Sequence, residues 1–160
     1  MSKKLFFIIC LISFACLKLK AQETVLEGEL SPTFIAQLSD APEWQQNQNN
    51  YHPDAEAMKH IAQYASEFDL VVVIGTWCED SRMHFPALWK TIEQSGAKFK
   101  SIRIIAVDRD KKSKVAGFEA LNITYVPTII LLKDGREMTR IVETPRVSVE
   151  KDLADSIHAK

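Results

Sequence analysis

Three short apolar runs, residues 70–74, 102–107 and 128–132, separated by stretches with a helical period, constrain this 160-residue chain more than any other feature. The first, Leu70-Val71-Val72-Val73-Ile74, has no polar position at all, which predicts a strand buried on both faces. Asp54 is placed as the N-cap of a helix running to residue 66, with Ala57, Ile61, Ala62, Tyr64 and Ala65 as its apolar positions. A second helix is expected from Asp80 or Ser81 to about residue 94. Its core contacts are Met83, Phe85, Leu88, Trp89 and Ile92, and Gly96 ends it. Residues 111–120 are basic and then read as a short helix. Asp134-Gly135 is a strong hairpin signal leading into a fourth strand over 137–143. Residues 148–159 close the chain as a helix with Val149, Leu153 and Ile157 inward. From residue 54 the order is α-β-α-β-α-β-β-α, an α/β arrangement without internal repeats. Residues 22–53 are weakly patterned: 31–38 fit a short helix or an edge strand, and the polar tract 45–50 reads as a loop.

The N-terminus has a different composition. Lys3 and Lys4 precede residues 5–17, which are almost wholly apolar, and Leu19-Lys20-Ala21 offers a cleavage site. This reads as a secretory signal over residues 1–21, and it is short for a membrane span, which needs roughly 20 apolar residues. Lipid attachment at Cys16 is the less favoured alternative. The expected organisation is a signal over 1–21, an extension over 22–53 and a domain over 54–160, with the mature chain exported to the periplasm or cell envelope. Removing four lysines and no acids changes 20 basic residues against 21 acidic to 16 against 21, a net charge of −5. That argues against a nucleic-acid partner. Cys10 and Cys16 leave with the signal, so Cys78 remains alone and has no internal disulfide partner.

Cys78 lies in Gly75-Thr76-Trp77-Cys78-Glu79-Asp80-Ser81, where a strand gives way to a helix. Unpaired N–H groups at a helix start favour a thiolate, the nucleophilic form, and Ser81 one turn on is placed to donate a hydrogen bond to it. Glu79 and Asp80 oppose ionisation by their charge. The alternative is a buried, inert cysteine, but the polar company points to an exposed turn. His84, six residues on, reads as a surface histidine. No metal site is expected, because Cys78, His84 and the nearby acids lack ligand spacing, and no cofactor is expected.

Taken together, these residues resemble the thioredoxin superfamily. Trp77-Cys78 followed by Ser81 is similar to its Trp-Cys-x-x-Cys site with the second cysteine replaced. Met83 and Pro86 fall where thioredoxins often carry the same residues, Val126-Pro127-Thr128 resembles the cis-proline segment, and the hairpin after it matches. The resemblance covers roughly residues 54–160. It implies a thioredoxin-like fold, a central mixed sheet flanked by helices. It also implies a catalytic group of Cys78, Ser81 and Trp77, and substrate contacts from Val126, Pro127 and Thr76, with Pro127 cis and facing Cys78. The chain departs from the family in three places: the resolving cysteine is Ser81, the buried acid six residues before the nucleophile is Val72, and the glycine after the last strand is replaced near Glu143 and Thr144.

With one thiol, a mixed disulfide persists until an outside thiol arrives. The expected function is monothiol exchange, whether isomerisation, deglutathionylation or covalent retention. The partners would be thiol- or disulfide-containing proteins or a low-molecular-weight thiol. The rival is a non-catalytic peptide-binding module using the same groove. A peroxide-reactive thiol, with Arg82 as the neighbouring cation, is a minor variant.

Overall fold

The computed structural model describes residues 25–39 and 41–157. The expected signal, with Cys10 and Cys16, lies outside them. In chain order the elements are β1 (Gly28–Glu29), α1 (Pro32–Ser39), α2 (Pro42–Asn50), α3 (Ala55–Tyr64), β2 (Asp69–Ile74), α4 (Glu79–Ser95), β3 (Ser101–Ala106), β4 (Thr128–Lys133), β5 (Arg136–Val142) and α5 (Val149–Ile157). They form a thioredoxin-like α/β fold.

The five strands make one mixed sheet in the order β1-β3-β2-β4-β5. The apolar run at β2 is central. It pairs in parallel with β3 (Ile74 with Ala106) and antiparallel with β4 (Val73 with Thr128). Its side chains alternate between two cores, as strand pleating requires. Leu70, Val72 and Ile74 face Ile61, Phe85, Leu88 and Leu153. Val71 and Val73 face Ile105, Val107, Phe118 and Ile130. Asp134 and Gly135 turn β4 into β5 with φ of 50° and 76°, the left-handed values a tight hairpin needs.

Helix ends follow their chemistry. Asp54 caps α3 by accepting the Ala57 N–H at 3.0 Å, and Gly96 ends α4 with φ 66° and ψ 20°. Met83 departs from the expected core set of α4 at 50% exposure, while Phe85, Leu88 and Ile92 are buried. Met83 falls on the same outward side as Glu79 one turn earlier, so the apolar stripe is narrower than the composition implied.

Two expectations fail. The polar tract is not a loop: residues 45–50 belong to α2. Pro42 opens that helix, Glu43 lies in its first turn and Trp44 anchors it in the core, features that suit a helix N-terminus. Its amides are spent on α4: Asn47 donates to the Arg82 carbonyl at 2.8 Å and Gln48 to Glu93 at 3.1 Å. The described part of residues 22–53 packs on the core through Ile35 and Trp44. The segment 111–120 is not an α-helix. The Asp108 carboxylate accepts the Asp110 and Lys112 amides at 2.9 and 2.8 Å, closing a local turn that competes with helix. Gly117 then takes φ 77°, and only a single 3-10 turn, Phe118–Leu121, follows.

Candidate functional site

Topology alone assembles the site. Cys78 follows the C-terminal end of β2. Because β4 is antiparallel to β2, the start of β4 lies beside that end, and residues 126–127 are brought to the cysteine. Because β3 is parallel, its C-terminal end arrives there too, with Val107 N–H donating to the Ile74 carbonyl at 2.9 Å. Strand ends of this kind are where α/β sheets build their sites.

Residues 75–78 form a turn closed by Cys78 N–H donating to the Gly75 carbonyl at 2.9 Å. Cys78 is the N-cap of α4, with extended backbone and no side-chain bond to the helix amides. Its half-buried thiol donates instead to the Val126 carbonyl at 3.2 Å. The Val126–Pro127 bond is cis, and both residues are buried. Pro127 is fixed in turn by Glu143, whose N–H donates to the Pro127 carbonyl at 2.8 Å. Thr128 ties the same loop by donating from its hydroxyl to the Tyr125 carbonyl at 2.7 Å.

Trp77 lies across the turn. Its indole Nε1–H donates to the Val107 carbonyl at 3.1 Å, and the Arg109 guanidinium stacks 5.4 Å from its ring, a cation–π arrangement. The ring lies so close to Gly75 that a Cβ there would stand 2.8 Å from Trp77 Cε2. The glycine is therefore required by the tryptophan.

Two expected roles change. Ser81 is fully buried, at 0% exposure, and its oxygen accepts the Gly75 N–H at 3.2 Å. No hydrogen bond joins it to Cys78 among the described residues. It braces the turn from behind instead of donating to the sulfur, because position 81 falls on the inward face of α4. Thr76 is buried with its polar groups engaged: its hydroxyl accepts Leu26 N–H at 3.3 Å and its carbonyl accepts Arg82 Nε–H at 2.9 Å. These two contacts brace the turn against Leu26 and Arg82. Arg82 also pairs with Glu43 at 3.1 Å, so its charge is engaged away from the sulfur.

The acids beside the thiol differ in exposure, with Glu79 exposed and Asp80 half-buried. Burial holds the His84 imidazole below its usual range, and Asp80 opposes that shift. No group of three or more histidine, cysteine or acidic side chains suited to a metal occurs among the described residues. Val72, which stands where the family's buried acid would be, is an apolar core residue.

Sequence reasoning missed Glu43, Asn47 and Leu26, the residues that hold the turn from the N-terminal side. Their only signal was Trp44, a large apolar residue inside a polar tract.

A mixed sheet in this order, with a thiol at the end of its central strand against a cis-proline loop, defines the thioredoxin class of α/β proteins. The Thioredoxin family model matches residues 42–158, and the chain belongs to that family. Thioredoxin H2 of Arabidopsis thaliana is 26% identical over 133 residues, 82% of this chain and 86% of that protein. Thioredoxin-2 of Saccharomyces cerevisiae is 29% identical over 103 residues, 63% and 93% of the two chains. Among solved structures, a protein of unknown function from Pseudomonas aeruginosa is similar in fold, with a TM-score of 0.51 at 18% identity over 81% of this chain and 85% of that one.

Proposed function

We propose that this chain is a monothiol exchange protein of the cell envelope that forms mixed disulfides through Cys78. Its partners on this reading are proteins carrying thiols or disulfides, or low-molecular-weight thiols. The family relationship supports a thiol–disulfide role in general. The observation that carries the finer reading is Cys78 Sγ lying 3.2 Å from the Val126 carbonyl at the cis-Pro127 loop. The Val126 N–H makes no hydrogen bond to any described residue. An extended peptide laid along this loop pairs with that donor in the manner of an added strand and brings its own sulfur to Cys78.

The exchange balances as follows. The Cys78 thiolate attacks one sulfur of a substrate disulfide. A new S–S bond forms as the old one breaks, and the departing thiolate takes up a proton. Ser81 supplies no second thiol, so an external thiolate attacks the adduct and releases Cys78. Isomerisation, deglutathionylation and retention of a client thiol all use this half-cycle. Trp77 and Pro127 shape the walls beside the sulfur. Export rests on the N-terminal charge and apolar pattern, and N-terminal sequencing of the protein recovered from cell fractions tests it.

The decisive experiment incubates the chain lacking residues 1–21 with a glutathionylated peptide and reads adducts by mass spectrometry. An adduct on Cys78 that forms within minutes and is cleared by added thiol is expected, and Cys78→Ser abolishes it. In Ser81→Cys, oxidant is expected to link the two sulfurs and confer dithiol reductase activity. A wild-type chain that forms no adduct overturns the proposal. The rival reading is a non-catalytic module that holds a peptide in the same groove without exchange at Cys78. Partner binding that survives Cys78→Ala, with no adduct in the wild type, would establish it.

A further inference from the structure

Arg82, in the first turn of α4, bonds the thiol turn on both sides of Trp77. Its backbone N–H donates to the Cys78 carbonyl at 3.1 Å, and its side-chain Nε–H donates to the Thr76 carbonyl at 2.9 Å. Because a peptide unit is planar, fixing the Thr76 carbonyl also fixes the direction of the Trp77 N–H. The peptide leading into Trp77-Cys78 is thereby held in one orientation.

Arg82 is itself held by the N-terminal helices. Pro86, four residues on in α4, has no N–H to give the Arg82 carbonyl. Asn47 of α2 supplies the missing donor at 2.8 Å. Glu43 of α2 takes the guanidinium at 3.1 Å, and Leu26 N–H reaches the Thr76 hydroxyl at 3.3 Å. Among the described residues these three contacts connect residues 26–47 to the thiol turn through Arg82 and Thr76. None of them reaches the sulfur or the cis-proline loop.

We infer that Arg82 is a positioning residue for Cys78, acting through Thr76, with Glu43 and Asn47 as its anchor. This deepens the exchange reading above and rests on it. The effect is geometric, because the guanidinium charge is met by Glu43. Displacing a reacting atom by about 1 Å is sufficient to slow a reaction by orders of magnitude. A loosened turn therefore costs most where the sulfur must meet a disulfide held on the cis-proline loop, and least with a small freely diffusing reagent.

The test compares wild type, Arg82→Gln, Arg82→Lys and the milder Glu43→Gln. Two rates are followed across pH: mixed-disulfide formation with a peptide disulfide, and alkylation by iodoacetamide. In Arg82→Gln the exchange rate on its alkaline plateau, where the thiol is fully ionised, is expected to fall roughly tenfold, with alkylation changing less than about twofold. Arg82→Lys, which keeps the charge and loses the fork geometry, is expected not to rescue. Glu43→Gln falls between and covers the case of an unfolded Arg82→Gln. Full rescue by lysine, or exchange and alkylation falling by the same factor, overturns the positioning role. Exchange unchanged in all three variants overturns it as well and leaves the exchange reading standing. Alkylation without exchange in the wild type overturns both.

Discussion

At the scale of single residues, the site is a set of close fits around one turn. Gly75 meets the Trp77 ring so closely that alanine there forces the indole to move. Gly75→Ala is expected to cost about 1–3 kcal/mol, the range for overpacking, read as a lowered urea midpoint. It should also slow exchange at Cys78, since Trp77 is the adjacent residue. Glu143 presents the opposite case. It is a non-glycine residue at φ 57°, and its N–H must point at the Pro127 carbonyl. A left-handed conformation costs an L-residue about 1–2 kcal/mol, and the added freedom of glycine in the unfolded chain returns about 0.4–1 kcal/mol of that. Glu143→Gly is therefore expected to stabilise by up to about 1.6 kcal/mol, and a lowered melting temperature would contradict this. The Cys78–Pro127 pairing was legible because the motif around each residue is local and distinctive. The Glu43–Arg82–Asn47 linkage was not, because it joins common surface residue types 35 and 39 positions apart, and sequence spacing carries no trace of such a pair.

At the scale of elements, the junction of α3 and α5 shows how two helix starts share one carboxylate. Glu150, 2% exposed, accepts the Asp54 N–H at 3.1 Å and the Ser148 hydroxyl at 2.7 Å, and it also accepts the Tyr51 hydroxyl. Burial, then Glu150, holds the Tyr51 phenol far above its usual range, so it remains a donor. Tyr51→Phe is expected to cost about 1.5–3 kcal/mol, the range for a hydrogen bond to a charged group, measured by denaturant unfolding. Asp54 lies beside this cluster, and its carboxyl is held below the usual carboxylate range by the Ala57 N–H first and by Lys151 next. A group whose folded-state proton affinity is depressed adds stability above its unfolded value, and that stability is lost as pH falls through the folded one. Asn caps as well as Asp without titrating, so Asp54→Asn is expected to flatten the acid limb of stability below about pH 4. An unchanged acid limb in urea titrations at several pH values would refute this. Helices and strands with strong apolar periods were legible at this scale, as at β2 and α5. The α2 helix was not: its Gln and Asn residues favour neither helix nor loop strongly, and tertiary contacts with α4 decide the matter. The segment 111–120 failed in the other direction, since its basic run has no apolar face to dock and Asp108 captures the Lys112 amide.

At the scale of the whole molecule, the question is where the folding unit begins. The described helices before residue 54 are not appended to a finished domain. Trp44 is 5% exposed and meets Phe85 edge-on at 5.7 Å and 74°. Phe85 in turn stacks on Trp89 at 6.1 Å. This aromatic row fills the space between α2 and the helix that carries Cys78 at its start, so the core and the site share one support. The family match begins at residue 42, within α2. Trp44→Ala removes one of the two tryptophans of the row and leaves a void that α2 closes only by shifting, and Glu43 and Asn47 would shift with it. The expected cost is about 3–5 kcal/mol, a large share of the roughly 5–15 kcal/mol available to a domain. Truncation at residue 53 removes Ile35 as well and is expected to leave a chain with no cooperative thermal transition. Circular dichroism melts of the two variants check this: a truncated chain that melts cooperatively at the wild-type temperature would show that residues 54–157 fold without the helices before them.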